Sequence, residues 1–444
     1  MAKKQRYNAE FPAHLLQVPG ILGTATAWIE ACAVRPAPML SLGASIAMLA
    51  TAMGRWYKSP TGLRANVYVV GLARSGTGKE NPRACVMTTL SRSGLSDLCG
   101  TDDLASSAGL LRVMHEHPVR LFCLDEIGLL LGNVTSKNAG THERDILSVL
   151  MRLHSCAGTV WAGKAYAERD TKPIEQPHCC LWGTSTPDRF WESLSGSHTI
   201  DGFLNRLIVL ETDYKAARTV MPTADPAEPP TALLEVVQAI GSGTLAALPG
   251  NVSSVVTSST RTKSRLIPYT EAARVELDRL ADGQIARQNA SACPEAWSRV
   301  AEHAIRLAMI CAVSLRPEDP VITDECARWG GRLAWWATAR TAMAAEERVG
   351  DTDEQRAAQR ILAAIRKAGG SLSQRGITRA TQRLDRRHRD AALRTLLDAG
   401  MIGEVHENKD GNVVKMLGII QESEGGVTGG VTASISETAA FSVS

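Results

Sequence analysis

Several features that would mark particular classes of protein are missing from this 444-residue sequence. No two of its ten cysteines have C-x-x-C spacing, which argues against a zinc ribbon and a thioredoxin-like site. We therefore expect free thiols in a reducing compartment. The charged N-terminal residues are not followed by an apolar core, so they do not form a secretory signal. The net charge of +3 indicates nothing by itself about a nucleic-acid partner.

Residues 36–54 (PAPMLSLGASIAMLATAMG) are the one long uncharged stretch that calls for a membrane test. Two prolines, two glycines and several hydroxyl groups make this stretch less hydrophobic than a typical spanning helix. We therefore predict a buried helix that begins near Pro38, and a soluble, cytoplasmic protein without a membrane partner.

The positive charge is concentrated near the C-terminus. Between Gln355 and Ile420 there are 13 Lys and Arg residues against 6 Asp and Glu residues, which leaves the rest of the chain at about −4. A small basic unit attached to a larger, slightly acidic remainder is typical of a nucleic-acid-binding module.

Apolar patterning predicts an α/β fold. Short apolar runs at 66–71, 120–124, 179–183 and 207–210 indicate core strands, and helix-compatible segments separate them. This alternation predicts a mostly parallel sheet with crossover helices. Composition then suggests six segments: a helical lead-in or collar (1–60), the α/β core (61–215), an irregular connection (216–265), a helical bundle (266–350), the basic unit (352–420) and a disordered tail (421–444).

A glycine-rich turn follows the first of these strands. Residues 71–80 read GLARSGTGKE, close to the Walker A pattern G-x-x-x-x-G-K-[ST] that leads from a strand into a helix. Backbone N–H groups of such a turn face phosphates, and its lysine reaches the β- and γ-phosphates. The predicted nucleotide-binding residues are Ser75, Gly76, Thr77, Gly78, Lys79 and Glu80.

Two positions depart from the Walker A pattern. Ala73 replaces the first glycine, which is a mild change. Glu80 stands where a Ser or Thr hydroxyl should hold Mg²⁺, so the rate of hydrolysis is open. An ordinary glycine-rich turn is the alternative interpretation of this motif taken alone.

The second strand delivers two adjacent acids. Residues 120–126 (RLFCLDE) form a Walker B pattern, in which Asp125 would hold Mg²⁺, usually through water, and Glu126 would polarise the attacking water. Acids at strand ends also cap helices, but the 46-residue interval from Lys79 to Asp125 suits the two motifs of one P-loop domain. Together the motifs predict an ATPase that uses ATP and Mg²⁺.

Two later positions follow in the order typical of a P-loop NTPase of the RecA/AAA+-like kind. The third strand ends at Thr184 and Ser185, where a polar side chain can sense the γ-phosphate. Arg206 precedes the fourth strand and could act as an arginine finger on a neighbouring subunit's nucleotide. Simple solvation of a strand end and an ordinary surface arginine are the alternatives.

The combined motifs resemble those of a known family. The segments FPAHLLQVPG, WIEA, GLARSGTGK, FCLDEIGLLL, CAGTVWAGKAY, GTSTPDRFW and DGFLNRLIVL resemble, in order, the primase-helicase-like P-loop ATPases of phages, plasmids and genomic islands, a domain of unknown function related to ring-forming replicative helicases. The resemblance covers about residues 10–345.

The resemblance implies ATP hydrolysis that drives movement on DNA by a homo-oligomeric ring, with a hexamer favoured. It implies phosphate binding by Lys79, metal and water roles for Asp125 and Glu126, a sensor at Ser185 or Thr184, and a finger at Arg206. Single-stranded DNA would pass through the ring pore, where Lys137 and Lys164 are candidate contacts, with ordinary solvated lysines as the alternative.

The basic unit has the outline of a winged helix. Helices are predicted at 355–367, 374–381 and 386–397, followed by a strand pair that turns at 409–411. Such a unit can set a helix in the major groove of duplex DNA while arginines meet phosphates, although winged helices also bind proteins. The candidate DNA-binding residues are Arg375, Arg379, Arg383, Arg386, Arg387 and Arg389.

Three functions therefore stand as hypotheses. The first is an ATP-dependent DNA helicase or translocase of a phage or mobile element. The second is an ATP-binding replication initiator or helicase loader with weak or no hydrolysis, as Glu80 would allow. The third is a DNA-binding regulator whose oligomerisation is gated by nucleotide.

Overall fold

The computed structural model describes residues 11–136, 139–163, 172–194, 201–212, 219–248, 257–291, 293–348, 353–382, 384–409 and 412–419. Lys137, Lys164, Arg383 and the predicted tail at 421–444 lie outside these residues. Contacts divide the chain into two compact units. The first comprises the described residues up to Ala342 except Leu194, and the second comprises Leu194 and the described residues from Met343 onward. The lead-in, the α/β core and most of the predicted bundle thus belong to one unit.

The larger unit contains most of the secondary structure. Its strands are β1 (Tyr57–Lys58), β2 (Tyr68–Leu72), β3 (Val119–Leu124), β4 (Val160–Trp161), β5 (Ile174–Glu175), β6 (His178–Ser185), β7 (Leu207–Glu211) and β8 (Arg265–Leu266). Its helices are α1 (Ile21–Ala31), α2 (Pro38–Met53), α3 (Glu80–Arg92), α4 (Ser107–Glu116), α5 (Ile127–Thr135), α6 (Thr141–Ser155), α7 (Pro187–Ser193), α8 (Asp201–Leu204), α9 (Thr231–Gly241), α10 (Glu271–Ala290), α11 (Pro294–Trp297), α12 (Val300–Leu315) and α13 (Asp324–Arg348), the last of which continues into the second unit.

A four-stranded parallel sheet forms the centre of this unit. Its order is β3-β6-β2-β7, and all three pairings are parallel. These are the four predicted strands, and β6 extends the prediction by one residue at its start and two at its end. Because the strands are parallel, the residues that follow β2, β3 and β6 meet at one edge of the sheet, the carboxyl edge. The residues that precede the strands meet at the opposite, amino edge.

Helix α2 covers one face of the sheet, and α5 and α6 pack on the sheet as well. Every residue of α2 after Pro38 is buried, which confirms the predicted buried helix. Its backbone approaches the sheet closely, since a Cβ on Gly43 would lie 2.7 Å from the Trp182 ring. Among the described helices, none is both long and apolar enough to cross a membrane.

The connection predicted over 216–265 contains one regular helix. Helix α9 lies within it, and Leu233, Val237 and Ile240 are buried at helical spacing. The helix packs against α2 and α3. Its surroundings are rich in Pro, Ser and Thr, and this composition hides the short apolar stripe.

Helices α10 to α12 form much of the predicted bundle. Helix α12 is buried on nearly all sides from His303 to Ser314. It packs against α1, α2 and α10. The bundle is therefore joined to the lead-in and through α2 to the sheet, and it is not a separate domain.

The smaller unit contains α14 (Asp353–Lys367), β9 (Ser371–Leu372), α15 (Gln374–Ala380), α16 (Arg386–Asp398), β10 (Ile402–Lys409) and β11 (Asn412–Ile419). Its three strands form an antiparallel sheet of order β10-β11-β9. Apolar residues of all three helices share one core, including Ile361, Ile377 and Leu396. The predicted helices and strand pair are present with ends that differ by at most two residues.

Candidate functional site

The turn between β2 and α3 has a backbone that requires glycine. Gly76 and Gly78 have φ values of +79° and +75°, which side chains other than glycine rarely adopt. Lys79 is the N-cap of α3, and Glu80 is its exposed first residue. The free N–H groups and the partial positive charge of the helix N-terminus therefore lie at this turn.

The loop after α1 packs directly on this turn, which the sequence analysis did not anticipate. The Arg35 guanidinium donates a hydrogen bond to the Gly76 carbonyl. A Cβ on Gly78 would lie 2.9 Å from the Arg35 carbonyl oxygen, so this glycine also permits a close approach. Asn81 Nδ2 donates to the Ile29 carbonyl at 2.9 Å. Arg35 lies about forty residues upstream, and no local motif indicates its position.

Five predicted site residues form one contact network at the carboxyl edge. Lys79 Nζ lies 2.8 Å from Glu126 Oε1, and their side chains are 11% and 28% exposed. The Ser185 hydroxyl donates to Glu126 Oε2 at 3.3 Å. The Thr184 hydroxyl donates to Asp125 Oδ1 at 2.9 Å. The parallel sheet thus brings together side chains from three separate stretches of the sequence. The three charged side chains remain accessible to solvent, whereas Thr184 and Ser185 are buried beneath them.

Glu126 has an unusual backbone conformation. Its φ and ψ are both 50°, in the left-handed region, and it is the N-cap of α5. Its backbone N–H donates to Asp125 Oδ1 at 2.9 Å. A non-glycine residue in this region costs roughly 1–2 kcal/mol, and such residues cluster at functional sites. The conformation follows a strand end that turns directly into a helix.

The acids at this edge suit a metal ion shared with phosphates. Asp125 is exposed and supplies the hard oxygen donors that Mg²⁺ prefers. In the described part of the chain, no group of three or more His, Cys, Asp or Glu side chains could hold a metal ion. Mg²⁺ in phosphate-binding sites uses one or two carboxylates, with phosphate and water as its other ligands. The residues present fit that kind of site.

Arg206 is not part of this network. It directly precedes β7, at the amino edge, whereas Lys79 follows β2 at the carboxyl edge, roughly 15 Å away along a five-residue strand. Its guanidinium donates to the Gly202 carbonyl and, at 3.1 Å, to Ser155 Oγ. Partial burial lowers its pKa. Within its own chain this arginine therefore holds local structure and cannot contact a nucleotide at Lys79.

Apart from Arg383, which lies outside the described residues, the arginines predicted to bind DNA lie on two helices of the smaller unit. Ser373 caps α15 by accepting from Gly376 N at 3.1 Å, and Asp385 caps α16 by accepting from Arg387 N at 2.8 Å. An open cleft is lined by Arg375, Arg386, Arg389 and Asp390 together with Gln374 and Thr378. Arg375, Arg379, Arg386 and Arg387 are exposed, and Arg389 is largely covered beside Asp390.

No protein-family model matches this chain, and no curated protein is significantly similar to it. The resemblance to the primase-helicase-like ATPases therefore stays a prediction. Interpretation of the site depends on its geometry and chemistry.

Proposed function

We propose that the chain is a Mg²⁺-dependent P-loop ATPase that acts on DNA. The observation that carries the proposal is the contact network of Lys79, Glu126 and Ser185, with Asp125 and Thr184 beside it, at the carboxyl edge of a parallel sheet. Ligands of open α/β sheets bind at this edge. A lysine at a helix N-terminus beside two acids is suited to bind phosphates and a divalent cation.

Each residue of the network has a role in this proposal. Lys79 and the N–H groups of residues 75–80 bind the phosphates, and Asp125 is the residue that would hold Mg²⁺, usually through water. Mg²⁺, when bound, neutralises phosphate charge. Glu126 orients and polarises the attacking water, and Ser185 positions its carboxylate through the contact at 3.3 Å. Thr184 holds Asp125.

The DNA-directed part of the proposal is a ring-forming helicase or translocase. The order helix, strand, helix, helix, strand, strand in the smaller unit supports a winged helix, and the exposed arginines of α15 and α16 support contacts with phosphates. Arg206 acts on a neighbouring copy's nucleotide in this scheme, since its own site is out of reach. The ring would be a homo-oligomer.

Steady-state ATP hydrolysis with and without single-stranded DNA tests the central claim. We expect Mg²⁺-dependent hydrolysis that DNA stimulates, and a loss of about 100-fold or more in Lys79→Ala. Lys58→Ala is the matched control, because this lysine lies on β1, outside the four-stranded sheet. Equal rates in the wild type and in Lys79→Ala would refute the ATPase proposal.

An ATP-binding initiator or loader is the second candidate, and Glu80 is the observation that favours it. The carboxylate occupies the first position of α3, where it suits the helix dipole but adds negative charge beside the phosphates. Tight ATP binding with negligible hydrolysis would favour this candidate. Strand displacement by the full chain would favour the helicase.

The salt dependence of duplex binding tests the basic unit. We expect the quadruple variant Arg375→Ala/Arg379→Ala/Arg386→Ala/Arg387→Ala to bind DNA more weakly. Its slope of log K against log salt should be shallower by roughly one for each arginine that binds a phosphate in the wild type. Replacing Arg274 and Arg328, which lie in exposed ion pairs of the larger unit, is the control. An unchanged slope would show that DNA binding is not a function of α15 and α16.

A further inference from the structure

An apolar patch lies directly beside the glycine-rich turn. Val34, Val220 and Met221 are 50%, 46% and 88% exposed, and Met221 is the most exposed large apolar side chain among the described residues. Singly exposed apolar residues need no explanation, but a contiguous group beside a ligand site does. We call these three residues the apolar platform.

Backbone hydrogen bonds fix the platform to the lead-in. Val220 N donates to the Val34 carbonyl at 2.9 Å, and the N–H groups of Thr223 and Ala224 donate to the Ala31 carbonyl at 2.8 and 3.1 Å. The segment 219–224 is thus paired with the loop that follows α1. This backbone pairing places Val34 and Val220, which are exposed apolar residues from segments distant in sequence, at adjacent positions.

The same loop joins the platform to the candidate phosphate site. Arg35, the residue after Val34, donates to the Gly76 carbonyl, and its own carbonyl lies against Gly78. Val34 of the platform is therefore the sequence neighbour of a residue that contacts the turn that would bind phosphates. A ligand with its phosphates at Lys79 can lay an apolar face on this surface.

We propose that the platform binds the nucleobase of the nucleoside triphosphate whose phosphates bind at Lys79. This inference rests on the function proposed above and names the part of the ligand that the phosphate site leaves unbound. Nucleobases present flat faces that pack against aliphatic side chains, and ligand pockets combine such apolar contacts with a few polar anchors. Continuity with the phosphate turn favours a base over a protein partner, which would need a far larger apolar area.

Paired titrations with ATP and with inorganic tripolyphosphate test the platform, because only ATP carries a base. We expect Val34→Ser/Met221→Ser in the full chain to bind ATP about tenfold more weakly and tripolyphosphate as tightly as the wild type does. Both side chains are exposed, so folding should be unaffected. The single variant Met221→Leu, which keeps Val34 and an apolar side chain at 221, should bind ATP nearly as tightly as the wild type does.

Val275→Ser/Ile285→Ser is the matched control, since these side chains on α10 are 54% and 56% exposed and lie outside the platform. It should change neither affinity. The inference is overturned if the platform variant keeps its affinity for both ligands or loses affinity for both equally. It is also overturned if the variant dissociates an oligomer while keeping its preference for ATP over tripolyphosphate. If the wild type binds neither ligand, the proposed function itself fails. If the wild type binds ATP, Lys79→Ala abolishes that binding and the platform variant keeps it, then only the role of the platform is refuted.

Discussion

The two edges of the parallel sheet carry similar residue types in opposite environments. At the carboxyl edge, Lys79 and Glu126 form an ion pair that solvent still reaches. At the amino edge, Arg306 is 2% exposed and donates to Glu302 Oε1 at 2.6 Å and to Asn66. His154 and His303 are buried next to each other, with ring centroids 6.5 Å apart.

This difference separates charges that are available to a ligand from charges that stabilise packing. The amino-edge groups are held by the protein itself: His303 Nε2 bonds the Asn205 carbonyl at 2.9 Å, and Arg306 bonds groups that immediately precede β2. They join α12 to the sheet. A cation at the carboxyl edge has fewer partners in the protein and can exchange them for phosphate.

Removing the buried arginine should give the largest effect on stability. Arg306→Ala leaves the Asn66 carbonyl without its buried donor and removes one of the two arginines that pair with Glu302, which keeps Arg299, so we expect a loss of about 3 kcal/mol in the free energy of unfolding. Urea denaturation followed by tryptophan fluorescence measures it. Arg274→Ala, which breaks exposed ion pairs with Glu271 and Asp278 on α10, should cost far less, because water screens exposed charges. Equal losses would show that the buried Arg306 contributes no more to stability than an exposed ion pair.

Acid should destabilise the amino edge through its histidines. Burial lowers the pKa of His303 to about 4 and that of His154 well below its ordinary value. Below about pH 6.5 the unfolded chain binds protons that the folded chain does not, so the free energy of unfolding falls by up to about 1.4 kcal/mol per pH unit for each histidine.

Replacing one of these histidines tests the sign. Within the described residues, neither ring nitrogen of His154 has a hydrogen-bond partner, so leucine can replace it with little loss. His154→Leu should lose less stability than the wild type between pH 7 and pH 5, as measured by urea midpoints. Replacement of the half-buried His115 is the control. An unchanged pH slope in His154→Leu would contradict a neutral, buried imidazole.

At the carboxyl edge the expected effect is on activity and not on stability. Glu126→Gln keeps the shape of the side chain but removes the base, so ATP hydrolysis should fall about 100-fold while ATP binding persists. The unfolding midpoint should stay close to that of the wild type. Glu116→Gln, at an exposed position on α4, is the control. A large loss of stability in Glu126→Gln would show that this edge is structural too.

Glu80 should give the smallest effect. Glu80→Ser replaces a carboxylate with a hydroxyl, and we expect hydrolysis to rise about fivefold, equivalent to ~1 kcal/mol for a unit charge about 4 Å away in water. Glu80→Gln separates the two causes, because it removes the charge without supplying the hydroxyl. Slower hydrolysis in both variants would mean that the carboxylate itself assists the reaction.

The contrast between the edges also explains what could be predicted from the sequence. Strands that end in acids or a glycine-rich turn are local patterns, and parallel pairing then brings Lys79, Asp125 and Thr184 to one edge. The contact of Arg35 with Gly76 depends on how α1 packs, which no local pattern encodes. The position of Arg206 before a strand was readable, but its hydrogen bonds to Gly202 and Ser155 arise only from the fold.

At Glu126, a left-handed backbone that lowers stability carries the carboxylate that the proposed function needs. Glycine at this position would relieve the steric strain, for a gain of up to about 1 kcal/mol, and would delete the carboxylate. A search for heat-resistant variants, or a consensus built on backbone preference, would therefore favour glycine there and discard the group on which the proposed chemistry depends. Engineering of this protein for robustness should hold residue 126 fixed.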